Sequence, residues 1–439
     1  LSSSSAASDV YKRQLLDRSK APQSSNNFIF NTDSPNFVLR VNDSEIYALQ
    51  NENTELIKLD IVFQKGEAHQ PQNLYNSTAI TMAEKGTITK NSKEIADFID
   101  FYGAYIQPFS STDSSGLSLI TLEKYFNDVF PLFSDIVLNP VFDINELEIY
   151  LKSRLNTFLI NNEKTSFIAS QHFTHLLYGE KHPLGKLIAA DDYFSENYDD
   201  LSDYYKNILL KAPKLVYLTG KTNDRIRKQV LDFCSNPIFS SKQFSYNDFE
   251  SIQSNPQRHH ISKPESIQSS IRIGKTLEIG DNPKVNAEFR LLNTMLGGYF
   301  GSRLMGNLRE KNGFTYGVNS AVYASNHGKY LVIGTDVGSE NTQNAVNEIM
   351  NEINFITESP CSDEEFERVK NYSIGSFLRS FDGPFSITEK YRNLKIRNLP
   401  INYYEEYFQA LTQSNKSRIM DLGKEHLKAD SFSVLTVGK

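Results

Sequence analysis

Lys214-Leu215-Val216-Tyr217-Leu218-Thr219-Gly220-Lys221 is echoed at the very end of the chain by Ser431-Phe432-Ser433-Val434-Leu435-Thr436-Val437-Gly438-Lys439, at an offset of 218 residues. Each is a short run of β-branched and aromatic residues closed by Gly-Lys, the composition of a buried strand that ends in a turn. Tyr102-Gly103-Ala104 matches Tyr316-Gly317-Val318 at an offset of 214, Pro140 matches Pro360 at 220, and Leu147-Glu148 matches Phe366-Glu367 at 219. Any one match could arise by chance. Four in the same order at nearly one offset indicate an internal duplication.

The elements inside each half follow one script. Asn91 and Glu94 have the spacing of a capping box, Ile95, Phe98, Ile99 and Tyr102 recur at helical spacing, and Gly103 can close the helix in the left-handed conformation. A hairpin follows, with strands over 104–109 and 117–122 around a Ser- and Gly-rich turn. Phe126, Val129, Phe130, Phe133, Ile136 and Val137 mark the apolar face of the next helix, and beyond Pro140 an amphipathic stretch runs from about Asn145 toward Tyr178. The second half repeats the order, with a hairpin over 316–323 and 330–337 and helices after Asn341 and Asp363. Residues 240–266, rich in Ser, Gln, Asn and Pro, read as the linker. The fold class expected is therefore α+β: two repeated units, each a mixed, largely antiparallel sheet with helices packed on one face. They span residues 15–239 and 267–439. Residues 1–14 begin with Leu1, run through serines to Gln14 and look like translated adapter sequence rather than native chain.

With 439 residues, 39% hydrophobic and 23% charged, the chain can bury more than one core. Acidic residues outnumber basic ones 53 to 46, for a net charge of -7, which argues against nucleic acid as a partner. Cys234 and Cys361 are too few for a disulfide framework and have no C-x-x-C spacing. No apolar run from Leu15 onward is long enough for a membrane span or a signal-peptide core. This favours a soluble, cytoplasmic protein, and a periplasmic one if a native leader has been lost.

Two phosphate-loop look-alikes fail. Gly220-Lys221-Thr222 and Gly274-Lys275-Thr276 have Leu215 and Ser269 where the earlier glycine of such a loop belongs. Gly297-Gly298-Tyr299-Phe300-Gly301 follows a helix-like run, 287–296, rather than a strand, so it is not a dinucleotide fingerprint. It reads as a tight turn between helices, with Ser302 as the next N-cap.

The segment from Gly297 to Gly317, including Leu308-Arg309-Glu310-Lys311-Asn312-Gly313-Phe314-Thr315-Tyr316-Gly317, resembles the arginine/tyrosine site of the pitrilysin/insulinase zinc peptidases. The resemblance extends over nearly all of residues 15–439, and the loop Tyr178-Gly179-Glu180-Lys181-His182-Pro183-Leu184-Gly185 shares it. It implies two α/β rolls per chain, one holding zinc on His-x-x-Glu-His and the other supplying Arg and Tyr seven residues apart. Arg309 and Tyr316 stand at that spacing, and the chain has no His-x-x-Glu-His.

Counting back from Lys85-Gly86-Thr87, which resembles the ending of the family's zinc helix, puts Ser77, Ile80 and Thr81 at the first His, the Glu base and the second His. The third ligand's place falls near Thr157. Neutral hydroxyls are poor zinc ligands and isoleucine cannot polarise water, so the expected metal in this chain is none. His172 and His175 share a helix face but lack a third ligand nearby, His182 precedes Pro183 in a loop, and His259-His260 fall in the linker.

The resemblance then implies a subunit without zinc in a two-chain peptidase that cleaves unfolded peptides. Arg309 and Tyr316 would contact substrate and its transition state, with Gly298 and Gly301 lining the substrate. A homologous partner would carry the zinc. The alternative is a catalytically inactive structural or peptide-binding homologue. An independent peptidase with a substitute metal site has no ligand set to support it.

Overall fold

The computed structural model describes residues 28–194, 198, 200–239, 249 and 255–439. Residues 1–14 and most of the expected linker lie outside them. Thr32–Lys439 is one compact unit.

The β-branched runs assemble two sheets. The first joins β1 (Asn36–Val41), β2 (Ser44–Gln50), β3 (Leu56–Phe63), β4 (Tyr105–Ser110), β5 (Ser115–Leu122) and β6 (Lys214–Gly220) in the order β1-β2-β6-β3-β5-β4. The second joins β7 (Arg258–Ser262), β8 (Gln268–Thr276), β9 (Val318–Ser325), β10 (Gly328–Gly338) and β11 (Ser433–Gly438) in the order β7-β11-β8-β10-β9. The two orders superimpose from β2 onward. In each, the repeated run is an interior strand, β6 or β11, with a parallel neighbour on one side and an antiparallel one on the other. The expected duplication is thus a duplication of sheet topology. Residues 258–262 differ from expectation: although they fall in the presumed linker, they pair in parallel with β11 as an edge strand carrying His259 and His260.

The longer helices are α1 (Tyr75–Ala83), α2 (Ser92–Tyr102), α3 (Phe126–Leu138), α4 (Ile144–Asn162), α5 (Thr165–Tyr178) and α6 (Asp224–Cys234) in the first half. The second half has α7 (Pro283–Asn293), α8 (Thr342–Glu358), α9 (Asp363–Arg379), α10 (Pro384–Ile396), α11 (Tyr403–Gln413) and α12 (Lys416–His426). The capping box at Asn91 and Glu94 forms, and Gly103 takes φ +58° at the other end of α2. The long stretch expected from 145 to 178 is broken at Glu163-Lys164 into α4 and α5.

Ile57, Leu59, Ile61 and Phe63 of β3 and Leu117 and Leu119 of β5 are buried in one cluster with Phe126, Val129, Phe133 and Ile136 of α3 and Ile80 of α1. Side chains of this size each gain roughly 1.5–3 kcal/mol on burial, which makes these faces the main source of stability. In the second half, Ile271, Ile273, Leu331, Ile333 and Val337 are buried in the same way, with Ile349 and Ile353 of α8.

The opposite sheet faces receive helices from the other half, a contact that no local pattern announces. Ala169, Phe173 and Leu177 of α5 pack on Leu435 and Val437 of β11. Reciprocally, Thr388 Oγ1 of α10 lies 2.8 Å from Thr219 Oγ1 of β6, and Ile396 packs with Tyr47, Val62, Leu215 and Tyr217. Thr165 and Pro384, which start these two helices, are 219 residues apart, so the exchange obeys the repeat. Among the described residues no helix is long and apolar enough to cross a membrane.

Candidate functional site

Thr294–Gly298 and Met305–Lys311 are π-helical turns flanking the glycine-rich segment. A Cβ on Gly297 would come within 2.8 Å of Ser320 Oγ, one on Gly298 within 3.1 Å of Asn293 O, and one on Gly301 within 2.9 Å of the Tyr299 ring. Close packing therefore gives each of these glycines a structural reason. Ser302 Oγ accepts a long hydrogen bond from Met305 N, 3.5 Å, in line with its expected role as N-cap. Met305 and Leu308 point into the core and Arg309 points out, its guanidinium carbon 4.8 Å from the Phe300 ring centre. A guanidinium over an aromatic face is held by cation–π attraction while its donor edge stays open.

The chain then turns at Gly313, φ +65°, where left-handed backbone suits glycine. Thr315 Oγ1 anchors the loop, lying 2.8 Å from Asp336 O and 2.9 Å from Gly317 O and accepting from Gly317 N at 3.1 Å. Thr335 Oγ1 reinforces it from β10 at 3.0 Å. With both neighbours tied down, Tyr316 projects into solvent, 94% exposed. The repeat supplies an internal control. Tyr102, its counterpart at offset 214, lies 5.3 Å from Tyr125 and packs on the first core, and the counterpart of Arg309 is buried Ile95. The second half thus turns outward the two positions that the first half uses for packing.

The counterpart zinc position lies on α1 and α4. Ser77 Oγ donates to Leu74 O at 3.0 Å, Ile80 is buried in the core, Thr81 is half-buried, and Thr157 is exposed with its hydroxyl donating to Ser153 O at 3.1 Å. The side chain that reaches Ser77 from α4 is not Thr157 but Arg154, one turn earlier: its Nη1 donates to Ser77 Oγ at 3.2 Å and to Tyr150 OH at 3.0 Å. Two hydroxyls, an aliphatic chain and a guanidinium do not fit a zinc ion, because none is an anionic or imidazole ligand and Arg154 brings positive charge. Among the described residues no three His, Cys, Asp or Glu side chains converge in a way that could hold a metal. His172 and His175 do gain company: His259 of β7 lines the same cavity of about 640 Å³. His175 Nδ1 is already engaged with Gly185 O at 2.7 Å, and burial, with His175 and His259 nearby, holds the His172 pKa below its ordinary value. His182 caps the turn that follows it, its Nδ1 accepting from Leu184 N at 3.2 Å.

Beside Tyr316 a cavity of about 310 Å³ opens on the sheet face shared with α5, between Phe173, Tyr323, Tyr330 and Val332 on one side and Arg272, Thr335 and Asp336 on the other. Among the described residues β9, the strand that Tyr316 leads into, is an edge strand paired with β10 alone. This half therefore presents an edge strand, a projecting phenol at Tyr316 and a stacked guanidinium at Arg309.

A duplicated two-sheet α/β roll with an exposed Arg-x6-Tyr pair, and with no metal-ligand cluster among the described residues, defines a peptidase-like class of fold. Residues 195–373 match the peptidase M16 inactive domain. Over these residues the chain is similar to the inactive-type domain of the M16, or pitrilysin/insulinase, peptidases. It is 23% identical over 349 residues to the uncharacterized zinc protease YmxG of Bacillus subtilis, covering 79% of this chain and 84% of that one. It is 22% identical over 347 residues to the non-peptidase homolog YmxG of Helicobacter pylori, covering 75% and 76%. In fold it is similar to a peptidase M16 inactive domain from Pseudomonas fluorescens, with a TM-score of 0.82 at 20% identity over 92% of this chain and 98% of that one. It is also similar to the first half of the periplasmic protease PqqL of Escherichia coli, with a TM-score of 0.72 at 14% identity over 92% of both.

Proposed function

We propose that this chain is the subunit without zinc in a two-chain M16-type peptidase, and that it presents Arg309 and Tyr316 to peptides cleaved at a homologous partner's His-x-x-Glu-His centre. In this reading residues 15–239 form the domain with the degenerate metal site and residues 267–439 the domain with the Arg/Tyr site. The observation that carries the proposal is the outward placement of Tyr316, fixed by Thr315 and without packing of its own, where its repeat counterpart Tyr102 is packed.

Peptide hydrolysis develops negative charge on the scissile carbonyl oxygen, and a preorganised phenol and guanidinium aimed there stabilise it. Tyr316 donates to that oxygen. Arg309, steadied by Phe300, orients the peptide backbone or shares the charge through its fixed donors. The zinc chemistry belongs to the partner.

The test is to purify the chain alone and with a His-x-x-Glu-His homologue, then measure bound zinc and cleavage of an unfolded reporter peptide. Alone, it should hold no stoichiometric zinc and cleave nothing. In the complex, Tyr316→Phe should lower kcat by about 10²-fold or more while KM barely moves. Robust cleavage by the single chain that a chelator abolishes would overturn the assignment, as would a Tyr316→Phe complex of unchanged kcat.

A second reading, an inactive structural or peptide-binding homologue, draws support from the name non-peptidase homolog carried by the Helicobacter pylori relative. Copurification with a partner that also lacks His-x-x-Glu-His would favour it.

A further inference from the structure

On helices other than the one that carries Arg309, a third cavity of about 300 Å³ lies among α7, α9, α10 and α11. Its lining is one-sided in charge. Arg290, Lys390 and Arg397 contribute three cations, and no carboxylate lines it. Arg397 is paired with Asp281 outside the lining. Arg290 has no hydrogen bond or ion pair from its guanidinium among the described residues, and the Lys390 ammonium lies 5.8 Å from the centre of the Phe381 ring. Burial holds the Lys390 ammonium below its ordinary pKa, with Glu389 acting against this and Arg290 with it. Asp281 and Glu389 offset this charge only from outside the lining, and Arg290 reaches the cavity from an exposed position, so an anion held inside would be attracted by all three cations.

One wall is aromatic. Phe377 and Tyr407 stack at 5.3 Å, and Tyr404 stands 6.3 Å from Phe377. Burial raises the pKa of both tyrosines, so they remain neutral donors.

The inner wall holds the observation that points to a ligand. Ser373 is 4% exposed, lines the cavity, and its hydroxyl has no hydrogen-bond partner. Serines on other helices bond back one turn, Ser170 of α5 to Ser166 O and Ser235 at the end of α6 to Leu231 O, both at 2.8 Å. Ser373 on α9 does not, and a buried hydroxyl left unpaired is costly unless a guest completes it.

We infer that this cavity binds a small organic oxyanion, a carboxylate or phosphate head on a flat apolar body, with Lys390, Arg290 and the Ser373 hydroxyl on the head and Phe377, Tyr404 and Tyr407 against the body. The volume is at the lower end of ligand pockets, which fits a small molecule rather than a peptide. None of these residues belongs to the Arg309 and Tyr316 site, so the two assignments stand or fall separately.

The test is isothermal titration calorimetry on the full chain with phenyl phosphate, benzoate, inorganic phosphate and neutral phenol. Phenyl phosphate or benzoate should bind one to one and more tightly than inorganic phosphate, and phenol should not bind; which aryl anion is preferred identifies the head group. Lys390→Met should weaken binding at least tenfold. Ser373→Ala should also weaken it while leaving the ligand-free Tm unchanged or higher, which a purely structural serine would not do. Absence of binding by both aryl anions at millimolar concentration, equal binding of phenol, or affinities untouched by Lys390→Met and Ser373→Ala would each overturn the inference. Tm measured alongside shows that each variant is folded, and exposed Arg290→Gln gives a further variant if Lys390→Met is not.

Discussion

Lys214 opens β6 with its side chain only 1% exposed, its Nζ donating to Ala212 O at 2.7 Å and Phe239 O at 3.3 Å and lying 5.0 Å from the centre of the Phe239 ring. Burial drives its pKa down from 10.5 to about 7, and the charge of Asp43 offsets the lost hydration only in part. The folded state thus binds this proton less readily than the unfolded one. Its contribution to stability is complete above pH 10.5 and is lost as pH falls toward and through 7. We expect the urea midpoint to rise between pH 7 and 9.5, by up to about 1.4 kcal/mol per pH unit from this group. Lys214→Met should flatten that rise and stabilise the protein at neutral pH. A pH profile identical in the variant would show that Lys214 is hydrated in the fold.

Residues differed in how far sequence could place them. Asn91, Glu94 and Gly103 were legible because a helix cap depends on side chains three residues apart and on one backbone angle. Arg309 and Tyr316 were legible through spacing, although the exposure that separates Tyr316 from Tyr102 was not. Arg154 was invisible, since its partner Ser77 lies 77 residues away and a count along the chain pointed to Thr157 instead.

At the scale of elements, hairpins and amphipathic helices appear where alternation and helical spacing put them, and β7 does not. Arg258–Ser262 is a polar, mostly exposed edge strand, and only its register with β11 makes it one. The exchange of α5 and α10 escaped for a related reason: periodicity identifies an apolar face but not the sheet that covers it. Phe173 makes the exchange measurable. It is 2% exposed, packs with Leu435 and Val437, and its ring tip would stand 2.9 Å from a Cβ placed on Gly274 of β8. Phe173→Ala should cost about 3–5 kcal/mol. Hydrogen exchange in β8 and β11 should rise with it, and a loss of protection confined to first-half strands would contradict the packing described.

At the scale of the molecule, the two hairpins meet tip to tip in agreement with the repeat. Asp113, in the β4–β5 turn, accepts from Asn326 N at 3.2 Å and lies 3.5 Å from His327 Nε2 in the β9–β10 turn. Burial raises the pKa of Asp113 and lowers that of His327, moving both toward their neutral forms. Asp113→Ala removes the acceptor that receives the second turn, at a cost of about 1–2 kcal/mol. Faster amide exchange at residues 325–328, with protection in α8 unchanged, is the expected outcome. Uniform loss across the second half would mean that the junction holds up more than the hairpins.

The reciprocal helices also bear on how the protein is made. When β6 leaves the ribosome the first sheet is complete, yet the helix that covers Tyr47, Leu215 and Tyr217 ends at Ile396, 176 residues after Gly220. At typical synthesis rates that is an interval of roughly ten to thirty seconds. Throughout it the nascent first half displays an uncovered aromatic sheet face, the kind of surface that chaperones bind.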